Sequence, residues 1–201
     1  MIRETIRKNV EDVINKESLE LKHISSMLDY QKITELCRLI IKNKGNIFIT
    51  GCGTSAMAAK KVVHTLNVVD QKAFYLNPSD AVHGELGAVK EKDLVIFISK
   101  GGNTKELTSF LQNIKEKNAQ IVAVTENETS QIAKNSNLII KVKVASEADQ
   151  FNMLATCSTL AVISLFDGIA VALITQENFN KKEFLNNHPS GAVGKRLKED
   201  Q

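Results

Sequence analysis

Residues 94–107 read LVIFISKGGNTKEL. Five consecutive apolar residues, Leu94 to Ile98, run directly into a small polar turn, Ser99-Lys100-Gly101-Gly102-Asn103-Thr104, and then into a charged stretch. An unbroken apolar run, rather than an alternating one, fits a strand covered on both faces. The glycine pair then marks a sharp exit toward a helix. Working outward, the same grammar recurs. Ile47 to Thr50 precedes GCGTSA at 51–56, and Ala73 to Leu76, Ile121 to Thr125 and Leu138 to Val144 are further short apolar runs. Strands alternating with helical stretches imply right-handed crossovers and a parallel sheet. The expected fold is α/β, a three-layer α/β/α sandwich around five parallel strands. Nine of the ten glycines are expected in connections, with Gly168 as the exception.

Upstream of Gly45 there is neither glycine nor proline. Ile2, Ile6, Val10, Val13, Ile14, Leu21, Ile24 and Leu28 recur mostly at steps of three and four, as on one face of a helix. Ile33, Leu36, Cys37, Ile40 and Ile41 repeat the pattern. Residues 1–44 are therefore expected to form a helical arm and 45–201 the α/β unit, together one structural domain. Downstream, Thr156 to Ile174 reads as a long apolar helix. It contains Asp167, which is costly at a bilayer centre, so a core helix is expected rather than a membrane span.

Composition narrows the function classes. A hydrophobic share of 43% against 24% charged excludes a disordered chain. The net charge of +3 is too mild and too dispersed to imply nucleic acid or a membrane surface as partner. Cys37, Cys52 and Cys157 have no metal or redox spacing. With a charged N-terminus lacking an apolar signal core, they suggest a reducing, cytoplasmic setting.

In a parallel sheet of this kind ligands sit beyond the carboxyl ends of the strands. Two glycine turns lie there, 51–56 and 99–104. Each offers close backbone approach, amides at a helix start and a hydroxyl, Ser55 or Thr104, with Ser99 in addition. That chemistry suits a phosphate dianion. The bland alternative makes Ser55 and Thr104 ordinary helix caps. The first turn also matches G-x-G-x-x-A, a dinucleotide fingerprint. The acid this requires, Asp70, precedes the strand Ala73 to Leu76 instead of ending it. Acids and histidines suited to proton transfer are Glu106 and Glu147 after strands, His83 after the second strand, and His188 in the tail segment NHPSGAVG. Each could equally be a solvated surface group.

Taken in order, GCGTSA, NPSDAVHGELG, GGNTKEL, KVASEA, TCSTLAVISLFDGIAVALI and NHPSGAVGKRL resemble a sugar isomerase (SIS) domain over about residues 45 to 197. Among such domains the chain is most similar to D-arabinose 5-phosphate isomerases. The resemblance implies aldose–ketose isomerisation of a phosphorylated sugar without metal or organic cofactor. It implies phosphate ligands at Ser55, Ser99 and Thr104, with Gly53, Thr54, Lys100, Gly101, Gly102 and Asn103 beside them. Thr156, Ser158 and Thr159 match further hydroxyls of the pocket, and Asp167 an acidic position of that helix. Glu106, Glu147 and His188 match the groups assigned to proton transfer and ring opening, and His83 a histidine lining the site. It further implies a homo-oligomer, dimer or tetramer, with sites shared between subunits, so that His83 and His188 act on a neighbour's pocket.

There are departures. The family's lysine is Thr54 here, a loop serine is Gly101, a loop acid is Asn103, and a proline before the last long helix is Ala155. The CBS module pair that such isomerases often carry has no counterpart in these 201 residues. Lys100 is expected to stand in for the missing lysine. The missing ammonium at Thr54 also keeps open a non-catalytic or regulatory phosphosugar-binding module. Cys52, between two glycines, reads as a small packing residue.

Overall fold

The computed structural model describes residues 2–199. Helix α1, Ile2–Met27, is followed by α2, Tyr30–Lys42. The break between them is fixed by Asp29, whose carboxylate accepts from the amides of Gln31 and Lys32 and so starts α2. The strands are β1 (Ile47–Gly51), β2 (Ala73–Tyr75), β3 (Leu94–Ile98), β4 (Gln120–Thr125) and β5 (Leu138–Lys141). All neighbouring pairs are parallel, in the order β2-β1-β3-β4-β5. The expected five-stranded parallel sheet is therefore present. Between strands lie α3 (Thr54–Val68), α4 (Pro78–Ala81), a 3-10 turn at Glu85–Ala88, α5 (Lys105–Thr108), α6 (Leu111–Glu116) and α7 (Gln131–Lys134). After the sheet come α8 (Cys157–Gln176), α9 (Lys181–Asn187) and α10 (Gly191–Glu199).

Side chains alternate across each strand and divide the core in two. Ile47, Ile49, Ile96, Ile98, Val122 and Val124 face one side, against Ala58, Val62 and Leu66 of α3 and Phe166 and Ile169 of α8. Phe48, Val95, Phe97, Ile121 and Ala123 face the other, against Phe110, Leu111 and Ile114. Phe97 and Phe110 stack there with ring centroids 5.6 Å apart. α8 is long and apolar enough to cross a membrane by length and composition. Here it buries Cys157, Ala161, Val162, Leu165, Phe166, Ile169, Ala170 and Leu173 in the core, where α1, α2 and α3 pack on it.

Several expectations need correcting. The fifth strand ends at Lys141 rather than Val144, because the chain turns away toward α8; Val142 alone adds a further bond, its amide donating to Thr125 O. The glycines are less confined to connections than expected. Gly51 closes β1, Gly87 lies in the 3-10 turn, and Gly191 and Gly194 lie in α10. At Gly194 the reason is packing, since a Cβ would meet the backbone of Pro189. The helix after the β3 turn is a single turn, α5, followed by α6. So short a helix supplies little of the dipole expected there.

Candidate active site

The in-register strands β1, β3 and β4 end side by side, at Gly51, Ile98 and Val124–Thr125. The turns directly after them therefore share the carboxyl end of the sheet. The turn after β3 is built tightly. Ser99 is buried, its Oγ lies 3.1 Å from Thr104 Oγ1, and it accepts from the Gly102 amide at 3.2 Å. Gly102 has φ of 66°, and a Cβ there would collide with the Ser130 side chain. Both the left-handed backbone and the close approach therefore require glycine. Gly102 O accepts from Ile132 N, and Asn103 Oδ1 from Gln131 N at 2.8 Å. Lys100 O accepts from Glu126 N at 3.0 Å and Thr125 Oγ1 at 2.9 Å. The turn is thus fastened to α7 and to the end of β4.

Ser55 and Thr104 do not act as caps. Gly53 occupies the capping position of α3, and Ser55 lies inside the first turn. Thr104 precedes α5, but its hydroxyl faces Ser99 instead of the helix amides. Both hydroxyls stand at the edge where a ligand would arrive.

Next to this turn is a cavity of about 60 Å³. Ser55, Lys100, Thr125, Glu126, Ser158 and Thr159 line it, over an apolar floor that includes Ile98 and Val124. Lys100 Nζ reaches Glu147 Oε1 at 2.6 Å and stands 3.9 Å from Glu126 Oε1. Glu147 is 3% exposed, and both its oxygens are fully engaged. Oε1 accepts from Lys100 and Ser158 Oγ. Oε2 accepts from the Thr156 and Ser158 amides, at 3.0 and 3.1 Å, and from Thr156 Oγ1 at 3.2 Å. Burial alone would raise its pKa. These bonds outweigh burial and hold it at about 2. Glu147 is a permanent anion that starts α8 and tethers Lys100.

Glu126 is its opposite, and sequence reasoning missed it. Its Oε1 is buried without a hydrogen-bond partner. Burial pushes its pKa up, and the charge of Glu147 adds to that. Lys100, the Val144 amide and Lys143 act the other way. Its only sequence signal is its place directly after a buried strand, where ligand groups gather in such sheets.

The remaining predicted residues are distributed unevenly. Gly53 and Glu106 line a second cleft with Cys52, Tyr75, Asn77 and Val82, on the other side of the 51–55 turn. Glu106 is nevertheless only two residues, at most about 7 Å of chain, from Thr104. Among the described residues its carboxylate makes no hydrogen bond or ion pair. Thr54 is exposed at the start of α3, Gly101 is exposed, and His83 is exposed beside Val82. The Thr156 hydroxyl is spent on Glu147 and the Ala148 amide, and the Asn103 amide oxygen on α7. Asp167 pairs with Lys61 on α3. His188 ends α9, next to Asn187, whose amide donates to Val68 O. That is the far end of α3, about 21 Å from Thr54 at 1.5 Å per residue. His188 of one chain therefore does not share the cavity with Ser55 of the same chain. Asp70 lies in the turn before β2, at the same far end, so no ribose held at the 51–53 turn is within its reach.

Known proteins share this fold. The curated "Arabinose 5-phosphate isomerase KpsF" of Escherichia coli is 31% identical over 94% of this chain. "Arabinose 5-phosphate isomerase KdsD" of Francisella tularensis is 33% identical over 94% of it. The chain spans about 58% of the length of each. A solved Listeria monocytogenes structure, named as a candidate sugar-phosphate isomerase, superposes with a TM-score of 0.92 at 40% identity, covering 94% of this chain and 100% of that one. The E. coli protein c3406, solved in complex with arabinose 5-phosphate, superposes with a TM-score of 0.90 at 25% identity, with the same coverage. A family model described as the SIS domain matches residues 39–170. With the parallel sheet and the turns at its edge already described, this chain belongs to the SIS domain family.

Proposed function

We propose that this chain catalyses aldose–ketose isomerisation of a phosphorylated sugar, with arabinose 5-phosphate and ribulose 5-phosphate as the exchanging pair. The observation that carries the reading is the fastened turn at 99–104. Its two facing hydroxyls, Ser99 and Thr104, lie in the turn that also carries Lys100 into a cavity shared with Ser55 and Ser158. Hydroxyls, glycine backbone and one ammonium form a suitable cradle for a phosphate ester. The names of the relatives supply the sugar.

The reaction moves a proton between adjacent carbons through an enediolate, so a carboxylate with free lone pairs is needed. Glu106 meets that need better than Glu147, whose oxygens are saturated and whose proton affinity is low. In this reading Glu106 takes the carbon-bound proton. Glu147 positions Lys100 and Ser158, and Lys100 turns toward the phosphate when it arrives. The His188 position argues for a homo-oligomer in which that histidine and His83 complete a neighbouring subunit's site.

The test is proton–deuterium exchange next to the carbonyl of arabinose 5-phosphate in heavy water. Wild-type protein is expected to exchange, and Glu106→Gln to lose about 100-fold or more while still binding the sugar phosphate. Undiminished exchange in Glu106→Gln overturns its role. A second reading, a binding module without catalysis, is favoured by Thr54, which leaves α3 without an ammonium at its start. Tight binding with no exchange in the wild type would select it.

A further inference from the structure

We propose that Glu126 is a ligand-contacting residue of this cavity and that it holds a proton when a phosphosugar is bound. The inference rests on the phosphosugar reading above and deepens it.

Charge balance leads there. Lys100 and Glu126 line the cavity, and a second carboxyl group, Glu147, is buried behind them, bonded to Lys100 and Ser158. Glu147 stays ionised, with five donors on its two oxygens, and Lys100 is already paired with it at 2.6 Å. An ionised Glu126 leaves these three groups net negative, a balance that Lys100 at 3.9 Å and the nearby Lys143 offset before a ligand enters. Its Oε1 would also remain buried without a donor, a costly position for a charged oxygen. As a neutral acid the same group loses the charge and gains an O–H to donate.

A phosphate ester makes the choice sharper. It brings close to two negative charges to the turn whose Lys100 carbonyl accepts from the Glu126 amide. It also draws Lys100 away from the carboxyl groups. Like charge arriving and opposite charge leaving both favour the protonated acid. The groups facing Glu126 are few. Lys100 comes from the turn after β3, Lys143 and the Val144 amide from the segment after β5, and Glu147 from the approach to α8. α3 and α8 contribute uncharged hydroxyls, Ser55, Ser158 and Thr159. Of these, Lys143 opposes protonation, while the ligand and Glu147 promote it. The neutral acid can then donate to a ligand oxygen that an ionised carboxylate would repel.

Calorimetric titration of the full chain with arabinose 5-phosphate tests this, in buffers of different ionisation enthalpy. It is run at about pH 7.5 and above, where the ester itself is mostly a dianion. Wild-type protein is expected to take up a measurable fraction of a proton per ligand bound, and binding with no uptake overturns the inference. Its affinity should fall as pH rises, by up to about ten-fold per unit. Glu126→Gln imitates the neutral acid. It should show no such uptake, a flat pH dependence and, at about pH 8.5 where the ester is a full dianion, tighter binding than wild type. Glu126→Ala should lose the same linkage. Uptake that persists in Glu126→Gln, or a variant weaker than wild type at every pH with the same slope, overturns the inference while leaving the binding site standing. Failure of the wild type to bind either arabinose 5-phosphate or inorganic phosphate overturns both the site and the inference.

Discussion

Two carboxyl groups beside one lysine have been given opposite tasks by their neighbours. Glu147 is held down to about pKa 2 by Lys100, Ser158 and Thr156 against the effect of its own burial. A carboxyl with a depressed native pKa adds stability above its ordinary value of 4.5, and that contribution is lost as pH falls toward about 2. Glu147→Gln should therefore lower the urea midpoint most near neutral pH. The gap from wild type should narrow steadily below about 4.5. A gap of the same size in acid and at neutrality would show that the charge is not what matters. At this scale the 99–104 turn was legible, since glycines and hydroxyls directly after an apolar run have few other uses. Glu126 was not. ENETS at 126–130 reads as a solvated turn, and only the packing of the 142–147 segment and α8 over it creates its burial. The internal use of Asn103 and Thr156 was hidden for the same reason, because both partners come from other elements.

Among the elements, α1 does more than cover the sheet. Glu20 on α1 is 4% exposed, pairs with Lys16 and accepts from the Ala145 amide at 2.8 Å. Burial opposes its ionisation, but the Ala145 amide and Lys16 prevail, and its pKa is lowered. This contact fastens the segment that carries Glu147 across 125 residues of sequence. Glu20→Ala removes the charged acceptor of the Ala145 amide in a part-buried contact and should cost about 1.5–3 kcal/mol in urea denaturation. Glu11→Ala, which breaks the exposed Arg7–Glu11 pair, should cost under about 1 kcal/mol. Equal losses would contradict the role given to Glu20. The strands themselves were readable from apolar runs covered on both faces. The split of one expected helix into α5 and α6 was not, because Thr108, Ser109 and Phe110 carry no breaker; nor was the early end of β5, where the apolar run continues into a loop.

For the whole molecule, the apolar arm raises the question of what covers it. Ile2, Ile6, Val10 and Ile14 lie one helical step apart, and each is more than half exposed. A groove of about 420 Å³ between α1, α2 and α8 is lined by Leu21, Ile24, Leu28, Ile33, Leu165 and Ile169. Exposed apolar surface on this scale favours association, and the sequence already carried more apolar face than one sheet needs. Light scattering at micromolar concentration should give a mass at least twice that of one chain. The double change Ile6→Asp, Val10→Asp should reduce it. A wild-type monomer would contradict the assembly and strand His188 away from any cavity. Which surface joins which was not legible, since periodicity shows a face but not its partner.

The fastening of the 99–104 turn to α7 and β4 also bears on kinetics. Gly102 lies against Ser130, Asn103 is bonded to Gln131, and the Lys100 carbonyl is held twice. The backbone of such a receptor is assembled before its guest arrives, and in the proposed reading the Lys100 side chain is what moves, so little disorder is surrendered on capture. In the proposed reading, capture of a phosphate ester is expected to proceed near encounter speed, with discrimination among sugars lying in how long each one stays.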